Sequence, residues 1–214
     1  MKKYELTTEC KEFLGRKLYR IKALTSFSDV KEGDLGGWIE KEENLSQEGN
    51  TWVYGNATVY DNATVYGNAM VYGNARVYGN ARVYGNAMVY DNATVYDNAR
   101  VCGNAMVYGN VRVHGNAMVY GNAMVYGNAE IKKKTHLLEI GFIGSRDDVT
   151  TFFRTKDEEI FVKCGCFKGN IDEFEKQVQE VHGDDKHGRV YALAIAMARE
   201  QIELDDEDVE EEDD

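Results

Sequence analysis

From Val53 to Glu130 the chain reads V-Y-(G/D)-N-A-x thirteen times without a gap. This unbroken repeat constrains the fold more than any other feature of the sequence. Its departures are Cys102 and His114 at Tyr positions and Val111 at an Ala position. A six-residue period fits neither the 3.6-residue turn of an α-helix nor a heptad. It predicts a strand of about four residues, A-x-V-Y, followed by a two-residue corner. Alternation puts Ala and Val on one side of that strand and x and Tyr on the other. Gly, Asp and Asn suit the corner because they tolerate left-handed backbone.

An aliphatic residue every six positions, with a small residue two before it, resembles the hexapeptide-repeat left-handed parallel β-helix. That resemblance implies three hexapeptides per triangular coil, about 78 residues of it here. The motif Asp34-Leu-Gly-Gly-Trp-Ile-Glu, followed by Asn44-Leu-Ser-Gln-Glu-Gly and Trp52-Val-Tyr, resembles a narrower group of bacterial and phage proteins often labelled as transferases. The expected organisation is an N-terminal cap (1–34), a left-handed β-helix (35–131) and a small α+β module (132–202). An acidic tail (203–214) completes it. In the cap, residues 17–24 alternate like a strand and close the apolar end of the coil, as solenoids need.

With three strands per coil, residues eighteen apart stack. The first face then carries Trp52, Met70, Met88, Met106 and Met124 at x, beside Tyr54, Tyr72, Tyr90, Tyr108 and Tyr126. Four of the five repeat Met residues share this column, which supports the three-sided coil on its own. An outward Trp-Met-Tyr wall is an apolar patch of the kind that marks an interface. The family resemblance implies a homotrimer. Trp52, Met70, Met88, Met106 and Met124, with Tyr72, Tyr90 and Tyr108, are the expected contact residues. The alternative is that the C-terminal module folds back over the same face.

The second face carries Thr58, Arg76, Thr94, Arg112 and Glu130, and the third Thr64, Arg82, Arg100 and Met118. Arg76, Arg82, Arg100 and Arg112, with Tyr78 and Tyr96, are candidates to hold an anion or stack a base. Against this stands a plain solubilising face, with Arg paired to Asp61, Asp91, Asp97 or the tail.

After the repeat, residues 136–143, 149–154 and 159–167 read as three strands. Asn170 with Glu173 forms a capping-box pattern at the start of a helix with a stripe of Ile171, Phe174, Val178 and Val181, ended by Gly183. A second helix follows from about residue 188 to 202. Cys164-Gly-Cys166, read on one strand face, combines with His182 and His187 into a candidate zinc set, although C-x-C is not the usual spacing. Core thiols and surface His are the simpler reading. Ser145 and Arg146 in the Gly144–Asp148 loop are candidates for a phosphate.

His114 is the one His of the repeat. Hexapeptide-repeat acyltransferases, by resemblance, use a His base near a subunit junction. A base needs a carboxylate to orient it. Its stacked neighbours, Tyr96 and Lys132, offer none, so a tolerated replacement of Tyr is the simpler reading. A single His on the coils excludes a β-helix carbonic anhydrase, which needs several.

Charge narrows the partners. The net charge of −12 divides into −1 for 1–52, 0 for 53–130, −1 for 131–202 and −10 for 203–214. The body is nearly neutral, and the acidic block is expected to be disordered. Direct nucleic-acid binding is not expected of such a chain. No stretch reaches the roughly 18 apolar residues of a membrane span. The start lacks a signal peptide, and four scattered Cys suit a reducing cytoplasm, that of the host if the chain is phage-encoded. No cofactor is implied. The first functional expectation is a non-enzymatic oligomeric binding protein. The phage resemblance suggests a counter-defence role, sequestering a nucleotide-like signal or blocking a host protein. The alternative is an acyltransferase-like enzyme using His114. A purely structural protein is the third.

Overall fold

In a computed structural model, which describes residues 2–204, the chain forms the left-handed parallel β-helix that the repeat predicts. Each hexapeptide contributes a two-residue strand, such as Met70–Val71. Hydrogen bonding to the next coil runs further, from Met70 N–H to Ala87 O (2.9 Å) and from Tyr72 N–H to Val89 O (3.0 Å). The four-residue A-x-V-Y unit is therefore the true ladder segment. Repeat Ala and Val side chains are buried throughout the coil, and each fully buried Val contributes roughly 1.5–3 kcal/mol.

The corners explain the Gly/Asp-Asn pair. Gly73 has φ +71, and a Cβ there would stand 3.0 Å from the backbone N and O of Asp91 on the next coil. The Asp residues at other corners hold similar angles, +60 at Asp61 and Asp91 and +56 at Asp97. Asn amides then stack in three ladders. Asn68 Nδ2 donates to Asn86 Oδ1 (3.1 Å), and Asn86 Nδ2 to Asn104 Oδ1 (3.0 Å).

The eighteen-residue register holds on every face. Trp52, Met70, Met88, Met106 and Met124 pair in sequence across one parallel sheet. Thr58, Arg76, Thr94, Arg112 and Glu130 pair across the second. Thr64, Arg82, Arg100 and Met118 pair across the third.

The N-terminal region is a hairpin of Tyr4–Phe13 and Arg16–Ala23. It pairs antiparallel with Leu35–Ile39, which itself pairs parallel with Thr58–Val59. The hairpin thus extends the second face as well as covering the coil end with Tyr4, Ile21 and Ala23. Its packing requires glycine at Gly36, where a Cβ would meet Ile21 Cγ1 at 2.5 Å and Trp52 Cζ2 at 2.7 Å.

The C-terminal sheet has four strands, Leu137–Ile143, Asp148–Arg154, Ile160–Cys164 and Phe167–Asn170, in antiparallel order. The single third strand read from the sequence is split by a tight turn at Gly165 (φ +52) and Cys166. Neighbouring Phe residues face opposite ways. Phe153 joins the coil core, while Phe152 packs with two helices, α1 (Ile171–His182) and α2 (Lys186–Gln201). The capping box at Asn170 and Glu173 forms, but Val181 is 66% exposed and lies off the buried stripe. Glu203 and Leu204 dock against Lys133 and Arg154. The disorder expected of the acidic tail otherwise concerns 205–214, outside the described residues.

Candidate functional site

His114 occupies a Tyr place in the second-face ladder, stacked on Tyr96 with ring centroids 4.8 Å apart. Above it run Tyr96, Tyr78 and Tyr60 at steps of 5.1 and 5.0 Å. The imidazole is 14% exposed, and its Nε2 stands 3.4 Å from Glu130 Oε1. That nitrogen is buried and makes no aligned hydrogen bond, so the contact is a close approach rather than a formed bond. Arg112 Nη1 lies 4.0 Å from the same carboxylate oxygen.

A carboxylate therefore accompanies His114, contrary to the reading from direct stacking. The reason is a diagonal. A ladder side chain leans toward the x residue sixteen positions on, as Tyr54 does to Met70 (3.7 Å) and Tyr72 to Met88 (3.8 Å). Glu130 is sixteen beyond His114. Counting neighbours at sixteen as well as eighteen would have found it.

The repeat arginines do not pair with the corner aspartates. Asp91 and Asp97 accept from the backbone N–H of Gly109 (3.1 Å) and Gly115 (3.2 Å) one coil on. Asp61 takes Arg16 of the hairpin. Among the described residues Arg76 reaches only Thr94 Oγ1, at 3.5 Å. Arg82 and Arg100 line a groove of about 680 Å³ with Thr64, Tyr66 and the Asn62–Asn80–Asn98 ladder. Tyr78 and Tyr96 are on the neighbouring face, stacked in the ladder that ends at His114.

The apolar wall is covered at both ends. Trp52 is 1% exposed, with Phe27 and Tyr4 packed edge-on at 5.4 and 6.0 Å. It is a coil residue buried beneath the cap and is no interface residue. At the other end Tyr126 packs on Phe153, and its hydroxyl donates to Val162 O (3.2 Å). Lys168 Nζ donates to Tyr108 Oη (3.0 Å), and the Met124 N–H donates to Thr151 Oγ1 (3.3 Å). The module thus folds over the Tyr108–Met124–Tyr126 end, and Met70, Met88 and Met106 with Tyr72 and Tyr90 remain half-buried between the two covers.

The C-terminal candidates converge on one cavity of about 220 Å³ between the turn at Gly165 and the helices. Ser145, Arg146, Cys164, Cys166 and His182 line it, with Phe174 and Tyr191. Arg146 Nη1 lies 3.6 Å from Cys166 Sγ, and Cys164 Sγ lies 3.4 Å from Tyr191 Oη. Burial and the neighbouring thiol push the Tyr191 hydroxyl far above its ordinary range. Among the described residues no group of three or more His, Cys, Asp or Glu could hold a metal ion. Because Cys166 turns away from the strand, Cys164, Cys166, His182 and His187 share a neighbourhood without forming a zinc cluster. His182 instead meets Asp185 at 3.4 Å, and its ring centroid is 5.6 Å from that of His187. No helix among the described residues is long and apolar enough to cross a membrane.

The repeat matches a family described as YdcK Beta solenoid repeat, over residues 53–67, 63–79, 69–85, 75–89, 81–97, 99–115 and 117–130. A protein of Escherichia coli (strain K12) described as an uncharacterized acetyltransferase, YdcK, is 44% identical over 62 residues. The match covers 25% of this chain and 19% of that relative.

Proposed function

We propose that this hexapeptide-repeat β-helix protein transfers an acyl group from a thioester to a hydroxyl or amine, with His114 as the base. The observation that carries this reading is the pairing of His114 with Glu130 at 3.4 Å, on the only coil where the Tyr ladder becomes His. With the ring proton on Nε2, toward the carboxylate, Nδ1 is the nitrogen left to accept a proton. The acceptor gives its proton to Nδ1 and its lone pair forms a bond to the thioester carbonyl carbon. The C–S bond then breaks, and the departing thiolate takes the proton back from the imidazolium. Glu130 faces that transient cation, and Arg112 Nη1 lies 4.0 Å from the same carboxylate oxygen.

The acetyltransferase description of the relative supports this chemistry and weighs for it over a counter-defence role. Self-association through Met70, Met88 and Met106 with Tyr72 and Tyr90 belongs to the same proposal, with a homotrimer as the expected assembly. The test is thiol release from an acetyl thioester in the presence of simple amine and hydroxyl acceptors. Glu130→Gln is expected to lower kcat on the order of tenfold or more, within the range of general-base effects. Absence of thiol release by the unaltered protein across these acceptors would overturn the reading.

A binding role remains as a second reading. The observation that favours it is the groove at Arg82 and Arg100, whose guanidinium groups have no carboxylate partner among the described residues.

A further inference from the structure

We propose that the groove on the third face, at Arg82 and Arg100, is a binding site for a small molecule carrying a diphosphate. Two faces built from the same repeat differ in how their Arg residues are placed. On the second face Arg alternates with Thr, and the last Arg has Glu130 beside it. On the third face Arg82 stacks directly on Arg100. The step between coils there is that of the adjacent Tyr66 and Tyr84 rings, 5.0 Å. Two like charges carried at the same place on adjacent coils repel one another.

Among the described residues no carboxylate forms an ion pair with either Arg82 or Arg100. Asp91 and Asp97 are committed to corner N–H groups, Asp61 to Arg16 and the Gly79 N–H. Glu43 also lines the groove but forms no ion pair with either Arg among the described residues. Two planar forks one coil apart suit two adjacent phosphoryl groups, each taking one guanidinium. Beside them the Asn62–Asn80–Asn98 ladder spends one amide N–H per residue on the next Asn Oδ1, at 3.3 and 3.1 Å. An amide has two N–H donors, so one per Asn is left for the ligand. Tyr66, 37% exposed at the end of its stack, offers a ring against which the organic part can lie.

This site is on a different face from His114 and stands apart from the acyl-transfer reading. Its test is calorimetric titration of the full chain with inorganic pyrophosphate, ADP and orthophosphate. The variants are Arg82→Thr with Arg100→Thr, and, as a control, Arg76→Thr with Arg112→Thr. Thr is the residue the repeat itself places at Thr58, Thr64 and Thr94, so both variants keep the coil, which thermal melting checks. Pyrophosphate and ADP are expected to bind once per chain and more tightly than orthophosphate. The third-face variant is expected to lose at least tenfold in affinity and the second-face variant less than twofold. His114→Tyr is expected to retain binding, which separates this site from the transfer chemistry. Failure of both pyrophosphate and ADP to bind at millimolar concentration would overturn the proposal. So would equal losses in the two variants, or orthophosphate binding as tight as pyrophosphate.

Discussion

At the scale of single residues, the ladders set the chemistry. Tyr90 stacks between Tyr72 and Tyr108 at 4.9 Å on either side, and burial with its neighbours pushes its hydroxyl up to about 12. Tyr60 and Tyr126 are raised to about 12 as well, in each case chiefly by burial. In the unfolded chain these groups lose their protons near pH 10. The folded state therefore binds more protons between pH 10 and 12, and stability must fall as pH rises through that window. Denaturant midpoints measured from pH 9 to 12 should decline together with a late phenolate absorbance. The Asn ladders make a second residue-level claim. Asn86→Ala removes the bonds to Asn68 and Asn104, and a loss of about 1 kcal/mol in equilibrium unfolding is expected.

At the scale of elements, the cap fits closely against the first strand of the coil. Gly36→Ala should cost roughly 1–3 kcal/mol by overpacking against Ile21 and Trp52, read as a lowered denaturant midpoint. The coil was legible in the sequence to the register of single residues, because the period fixes both burial and stacking. The strand Arg16–Ala23 was also legible. Its partner Tyr4–Phe13 was not, because most of that strand is exposed or only half-buried and shows no sustained apolar alternation. The turn at Gly165 escaped for a related reason: apolar residues on both sides masked a two-residue break. At the candidate site, His114 was legible as a departure from the repeat. Its partner Glu130 is missed by counting stacked neighbours at eighteen alone, because the side chain leans to its diagonal neighbour at sixteen.

At the scale of the whole molecule, one hexapeptide yields three faces with different side chains. The two ends of the coil are closed by separate devices, the hairpin at one end and Phe153 with the C-terminal sheet at the other. Among the described residues, the middle of the Met face carries no cover. Met88→Glu with Met106→Glu should dissociate the proposed homotrimer, and light scattering should then report the mass of a single chain. An unchanged mass would mean that these residues do not join copies. The central claim is that function resides where the repeat is broken, at His114. The most direct measurement is acetyl-thioester thiol release by the unaltered protein beside His114→Tyr, which restores the ladder residue and leaves the coil intact. The expected result is an unchanged melting temperature with release lowered by about 10²–10⁴-fold, the usual worth of a positioned base. Release at the unaltered rate in His114→Tyr would contradict it.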